Sequence, residues 1–368
     1  MLKLIVSIIL SSLFLNNAYA LDLKTKIGQM LLIGFKGTEL HENDSIVQDI
    51  LAKRIGGVVL YEVDIVTKEH GRNITTPTQL KQLTSELQHY AKKAEIYPLL
   101  IGLDYEGGYL QRLRAKNGFA KTKSAKQIGT ETPDEIKQDA EKMAETLNQV
   151  GINLNFAPVV DLNINPQNPI IGLKERSFSS DPKKVVADAK IFADIYTKHH
   201  ILCSYKHFPG HGSSTSDSHL GFVDVSKTWT PAELIPYKKI SGCSMVMIAH
   251  VVNKQLDKTG APASLSYEMI TNELRRKLHF EGVVITDDLQ MGAISKLYPD
   301  FNEVLIKAIN AGNDILIISN QFTQQNTKEL VEMIYQDVKN HQIAESRINE
   351  AYQRIVKLKH YVDGASSK

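Results

Sequence analysis

The segment Lys206-His207-Phe208-Pro209-Gly210-His211-Gly212-Ser213-Ser214-Thr215-Ser216-Asp217-Ser218-His219 gathers three histidines, a lysine and an aspartate. Proline lacks a backbone donor and glycine weakens helices, so the stretch reads as a strand end running into a loop. Loops carried on rigid scaffolds are where catalytic groups collect. Asp217 and His219 are two residues apart, close enough for the carboxylate to orient the imidazole, and such a pair makes a general acid/base near neutral pH. A second candidate is Asp287-Asp288, which follows the apolar run Val283-Val284-Ile285-Thr286. A carboxylate there can act as a nucleophile or bind a metal. Adjacent side chains on an extended chain point opposite ways, so the two are not expected to share one target. A third is Asp104-Tyr105-Glu106-Gly107-Gly108-Tyr109-Leu110-Gln111-Arg112. Its glycines permit a tight turn, and Asp104 suits neighbouring hydroxyls as a two-oxygen acceptor.

These residues must be held by something, and the chain supplies a regular alternation. Short apolar runs occur at Met30–Phe35, Gly57–Tyr61, Leu99–Asp104, Leu154–Val160, Ile201–Tyr205, Met245–Ala249, Val283–Thr286 and Ile315–Ile318. Near-continuous apolar runs are expected of strands buried on both faces. Segments with helical spacing lie between them, at Pro77–Ala94, Pro133–Val150 and Pro182–Lys198. Each opens with Thr or Asp before Pro, an N-cap followed by proline at the first helical position. The alternation predicts an α/β fold, a (β/α)8 TIM-type barrel forming a single catalytic domain over residues 21–360. Asp104, Asp161, Lys206-His207, His250 and Asp287-Asp288 then fall at the strand ends that form a barrel's active face. An open doubly wound sheet is the competing architecture, but no Gly-x-Gly-x-x-Gly turn or phosphate loop is present. Pro158 interrupts the fourth run. Residues 321–360 predict a helical close to the barrel and 361–368 a flexible tail.

Composition is that of a globular protein, with 42% hydrophobic and 23% charged residues in 368. The formal net charge is +2 and the basic residues are scattered, which argues against nucleic acid or an acidic membrane as partner. Residues 1–20 read as a cleavable signal peptide: Lys3, an apolar core over Leu4–Leu15, and Ala18-Tyr19-Ala20 before the cut. Its apolar core is too short to span a bilayer, so stable membrane insertion is not expected. The expected location is periplasmic or secreted, and the expected state a monomer. Cys203 and Cys243 are the 2 cysteines. One disulfide or two buried thiols both suit an exported chain.

The 206–219 segment closely resembles the signature loop of the β-N-acetylglucosaminidases of glycoside hydrolase family 3. Gly282–Leu289 resembles that family's nucleophile motif, and Asp104–Arg112 its sugar-binding turn. The resemblance covers nearly all of the mature chain, with the motifs in order. It implies an exported retaining exo-β-N-acetylglucosaminidase that needs no metal or organic cofactor and acts on a carbohydrate, from peptidoglycan fragments or chitin-type oligosaccharides. It carries the nucleophile role to Asp287, the acid/base role to His219 with Asp217, and sugar contacts to Asp104, Arg112, Arg176, Lys206 and His207. Asp288 is then expected to be structural, while His211 is left without an assigned role, bracing the loop being one it could fill. His250 is open between bracing and lining the pocket, and Asn153, Asn155 and Asp161 between pocket polar groups and caps, with caps favoured. Tyr109 stands where relatives often have Arg, and the stretch before Arg176 is longer than the family pattern. A neutral imidazole base does not repel an incoming anion, which keeps a phosphorylase open as an alternative. Substrate-assisted hydrolysis on the Asp287-Asp288 doublet, a metal-dependent hydrolase built on His207, His211, Asp217 and His219, and a non-catalytic sugar-binding barrel are the further rivals.

Overall fold

The computed structural model describes residues 22–239 and 241–366, so the expected signal peptide at residues 1–20 lies outside the described residues. Eight parallel strands form the barrel: β1 Leu31–Gly34, β2 Gly57–Val59, β3 Leu100–Leu103, β4 Leu154–Asn155, β5 Leu202–Phe208, β6 Met245–Ile248, β7 Val283–Thr286 and β8 Leu316–Ile318. They pair in the order β8-β1-β2-β3-β4-β5-β6-β7. The parallel bridge Ile285↔Ile315 brings β7 back to β8 and closes the ring. Seven of the eight apolar runs contain one of these strands and the fifth begins one, and the barrel and its helices share one continuous apolar core.

The helix starts follow their capping chemistry. Thr76, Thr132 and Asp181 each accept a backbone N–H from the first turn of the helices Pro77–Lys93, Pro133–Gln149 and Pro182–Lys198, and each is followed by proline. Thr132 and Glu135 complete a reciprocal capping box. The barrel is finished by two helices, Thr327–Lys339 and Glu345–Ser366, so residues 361–366 continue a helix where the sequence suggests a flexible tail.

Two local departures bear on the site. The fourth strand is short because Pro158, which has no N–H to give, interrupts its ladder; pairing resumes beyond it at the bridge Val159↔Lys206. The fifth strand runs longer than expected, to Phe208, and carries one extra residue against β6: Tyr205 pairs with Val246, but Phe208 with Ile248. Such a bulge re-aims side chains. It lets the consecutive residues Lys206 and His207 both reach groups of the active face.

At the opposite end of the barrel, Lys359 is fully buried and donates to Gln29 Oε1 at 2.8 Å and the Gly56 carbonyl at 2.6 Å. Burial pulls its pKa down to about 7. Cys203 on β5 and Cys243 before β6 are joined by a disulfide. The loop it closes contains Lys206, His207, Asp217 and His219.

Candidate active site

The strand ends converge on a network of buried charges. Asp104, just past β3, accepts from Arg112 Nη2 at 2.6 Å and from Lys206 Nζ at 2.8 Å. Lys206 is buried, and its Nζ also lies 2.6 Å from Glu106 Oε1. Glu106 in turn takes a two-pronged contact from Arg176, Nε to Oε2 at 2.7 Å and Nη2 to Oε1 at 2.8 Å. Planar guanidinium against carboxylate is the strong form of such a pair. Arg176 therefore sits within the network despite the longer segment before it, and its Nη1 donates to the Ile170 carbonyl. Burial pushes the Asp104 and Glu106 carboxyls up, but the cations beside them prevail and hold both below the usual carboxylate range. For Lys206 burial pulls down, and Asp104 and Glu106 outweigh it to keep the ammonium charged. Three cations against two carboxylates leave the cradle with one net positive charge.

His207 completes the cradle. Its Nδ1 lies 2.6 Å from Asp161 Oδ2, so Nδ1 carries the proton and Nε2 is left to accept from Arg176 Nη2 at 3.1 Å. Asp161 is fully buried and its other oxygen accepts the backbone N–H of His207 and of His211. It is an anchor for the histidine strand, where the sequence suggests a cap. Asn153 and Asn155 do satisfy strand backbone, at Leu99 and Ile101 and at Tyr105 respectively.

The acid/base candidates stand on the loop after β5. His219 Nδ1 donates to Asp217 Oδ1 at 2.8 Å, and the same oxygen accepts the His219 backbone N–H. That leaves Nε2 without a hydrogen-bond partner among the described residues. The His219 side chain is 49% exposed, so a group entering from solvent can meet it. Burial pulls its pKa down, yet the hydrogen bond to Asp217 and the charge of Asp287 outweigh this and leave it raised. The loop is braced from beneath. His211 is buried between Ser214 Oγ at 2.9 Å and Ser218 Oγ at 3.2 Å, and burial lowers its pKa to about 4, so it stays neutral. Trp229 Nε1 donates to the Pro209 carbonyl, and Trp229 belongs to a small apolar cluster with Val223, Val225, Ala249 and Val251 that is separate from the main core. Glu233, buried under the loop, accepts from the Gly212 N–H at 3.2 Å, and burial pushes its carboxyl up to about 7.

Asp287 follows β7. Burial pushes its carboxyl up, but His250, His207 and His219 prevail and keep it ionised. Asp288 does not share its target: Oδ1 accepts the N–H groups of Gln290 and Ser319 at 3.2 and 3.1 Å, tying β7 to β8, and burial raises its pKa to about 6. His250 uses both nitrogens, Nδ1 with Ser264 Oγ at 2.7 Å and Nε2 with the Asp288 carbonyl at 2.8 Å. It is thus a brace behind the carboxylate. All eight candidate residues fall on one face of the barrel. Lys206, Asp104, Arg112, Arg176 and His207 are linked by direct contact, Asp217 and His219 are paired, and Asp287 lies within the electrostatic reach of His219 and His207.

Four residues of the site escaped assignment from sequence. Glu106 could have been found, since it lies two residues after Asp104 on an extended segment and so on the same side. Asp161 and His250 pair with residues far away in the chain, which no local signal reports. Tyr61, whose ring lies 5.2 Å from the Arg112 guanidinium carbon, gave no cue beyond ending an apolar run.

Residues 22–358 match the glycosyl hydrolase family 3 N terminal domain. The chain belongs to that family. It is 31% identical over 330 residues to beta-hexosaminidase A of Pseudoalteromonas piscicida, covering 83% of this chain and 53% of that one. It is 34% identical over 302 residues to a beta-hexosaminidase of Tolumonas auensis, covering 79% and 82%. Its fold matches a family 3 beta-N-acetylglucosaminidase from Paenibacillus sp. str. FPU-7 with a TM-score of 0.84 and 31% identity, over 94% of this chain and 63% of the other. The chain thus spans little more than half the length of the first relative.

Proposed function

We propose that this protein is a retaining exo-β-N-acetylglucosaminidase working through a covalent glycosyl-enzyme. One observation carries the reading: an ionised carboxylate, Asp287, lies within the electrostatic reach of a histidine whose proton is set by its own aspartate. In the first step an Asp287 oxygen bonds to the anomeric carbon. The bond to the leaving oxygen breaks, and that oxygen takes its pair and the proton of His219 Nε2. In the second step the neutral Nε2 removes a proton from water, whose oxygen displaces Asp287. Asp217 holds the imidazole in the one tautomer that leaves Nε2 to do both. Asp104, Arg112, Lys206, Arg176 and His207 supply fixed donors and acceptors for the sugar hydroxyls, already oriented before substrate arrives.

Relatives named beta-hexosaminidase and beta-N-acetylglucosaminidase support the choice of sugar. The half-exposed His219 favours a second reading, transfer to phosphate. A neutral base leaves an anion free to approach where a carboxylate would repel it. Export is part of the proposal: the leader pattern of residues 1–20 and the Cys203–Cys243 disulfide both suit an oxidising compartment. Peptidoglycan fragments and chitin oligomers are the glycans met there. The test is release of p-nitrophenol from its β-N-acetylglucosaminide and β-glucoside, with and without phosphate. Asp287→Ala is expected to lose at least ~10³-fold of the wild-type rate. Full activity in that variant would sink the mechanism, and phosphate-dependent sugar 1-phosphate would make it a phosphorylase.

A further inference from the structure

The Asp217 hydrogen bond orients the His219 ring within its own loop, but it does not fix where the loop stands relative to Asp287. Something else must, because proton transfer tolerates little misplacement. The contacts that do so come from the segment following the nucleophile. Gly292 N donates to the His219 carbonyl at 3.3 Å and Ala293 N to the Ser218 carbonyl at 3.1 Å. Lys296 Nζ donates to the Leu220 carbonyl at 2.8 Å. Three successive carbonyls of the acid/base turn are thereby held by one short stretch, while His211 holds the Ser218 hydroxyl from the other side. The approach is close enough to need a glycine. A methyl group at 292 would stand 2.7 Å from the His219 oxygen, 3.0 Å from the Leu220 carbonyl carbon and 3.2 Å from the Gly221 nitrogen.

We propose that Gly292 and Lys296 form a latch that sets the acid/base loop against the nucleophile. They are positioning residues that act through His219. The inference rests on the roles proposed above for His219 and Asp287. It makes a claim that a merely structural role would not, because only the step that needs a proton donor should suffer. Dinitrophenolate leaves without protonation; a sugar oxygen does not.

The experiment is kcat/KM of Gly292→Ala and Lys296→Met on 2,4-dinitrophenyl β-N-acetylglucosaminide and on chitobiose, beside His219→Ala and the double variant His219→Ala/Gly292→Ala. Displacing a general acid predicts that Gly292→Ala falls about ten- to a hundredfold on chitobiose and less than about threefold on the dinitrophenyl substrate. Lys296→Met, losing one exposed hydrogen bond, should show the same pattern more weakly. In the His219→Ala background the Gly292 change should cost nothing further, the signature of two residues acting as one unit. Equal loss on both substrates, or a full Gly292 effect without His219, would overturn the latch while an active wild type left the glycosidase reading standing. A wild type inactive on both substrates would overturn that reading and the latch with it. Unchanged thermal unfolding of Gly292→Ala separates displacement from misfolding.

Discussion

Reducing the Cys203–Cys243 bond should weaken this protein by an amount that its position in the chain dictates. The bridge spans 40 residues. Closing a loop of that length removes about 13 cal/mol/K of entropy from the unfolded chain, or about 4 kcal/mol at 25 °C. Both sulfurs are buried, so no solvent contact is regained in the native state until the site opens. The assay is equilibrium unfolding in urea of oxidised protein and of protein reduced while unfolded, with Cys203→Ala/Cys243→Ala as the control that reductant cannot affect. The oxidised form should exceed the reduced form by several kcal/mol, and reductant should leave the control unmoved. A second effect follows from what the loop encloses. Loosening its base should lower activity before global unfolding, since Lys206, His207 and His219 all lie inside it. Oxidised and reduced forms unfolding within about 1 kcal/mol of each other would refute the loop-closure reasoning.

Two further outcomes concern protons. In Asp217→Asn the group that raises the His219 pKa is weakened, so the basic limb of the kcat/KM profile should move to lower pH; an unmoved limb would mean that His219 is not the titrating acid. Glu233 has a folded pKa of about 7 against 4.5 for the free side chain, so the native state binds the extra proton between those values. Stability should be fullest below the lower value and fall by roughly 3 kcal/mol as pH rises through the higher one. Glu233→Gln should flatten that slope in denaturation measured across pH, and an unchanged slope would place the proton elsewhere.

The barrel was legible because its signals are local. Eight apolar runs, and three helix starts marked by a capping residue before proline, lie in short windows of sequence. The candidate site was legible in its placement where residues sit in motifs, as in Asp217-Ser218-His219, which the structure pairs, and Asp287, which it sets at the end of β7. It was not legible where one charge answers another across the fold. Lys206 reads from sequence as a strand-end residue of the active face, but nothing local shows that Asp104 and Glu106 hold it there. Asp161 looks like a cap until His207 is found 46 positions on. The bulge that aims both Lys206 and His207 at the site is a property of strand pairing, which periodicity within one strand does not report.

The small apolar cluster around Trp229 has a meaning for how such barrels diverge. Asp104 and Lys206, proposed above to hold the sugar, are rooted in the main core through strands β3 and β5, whereas the loop proposed to handle the proton is propped at Pro209 by the separate Trp229 cluster and tied down at its rim. The two parts meet at Asp161, one oxygen of which accepts the backbone N–H of both His207 and His211. On the roles proposed above, a lineage could exchange the proton donor by rewriting the loop beyond Gly212, so long as Asp161 keeps its hold on both segments.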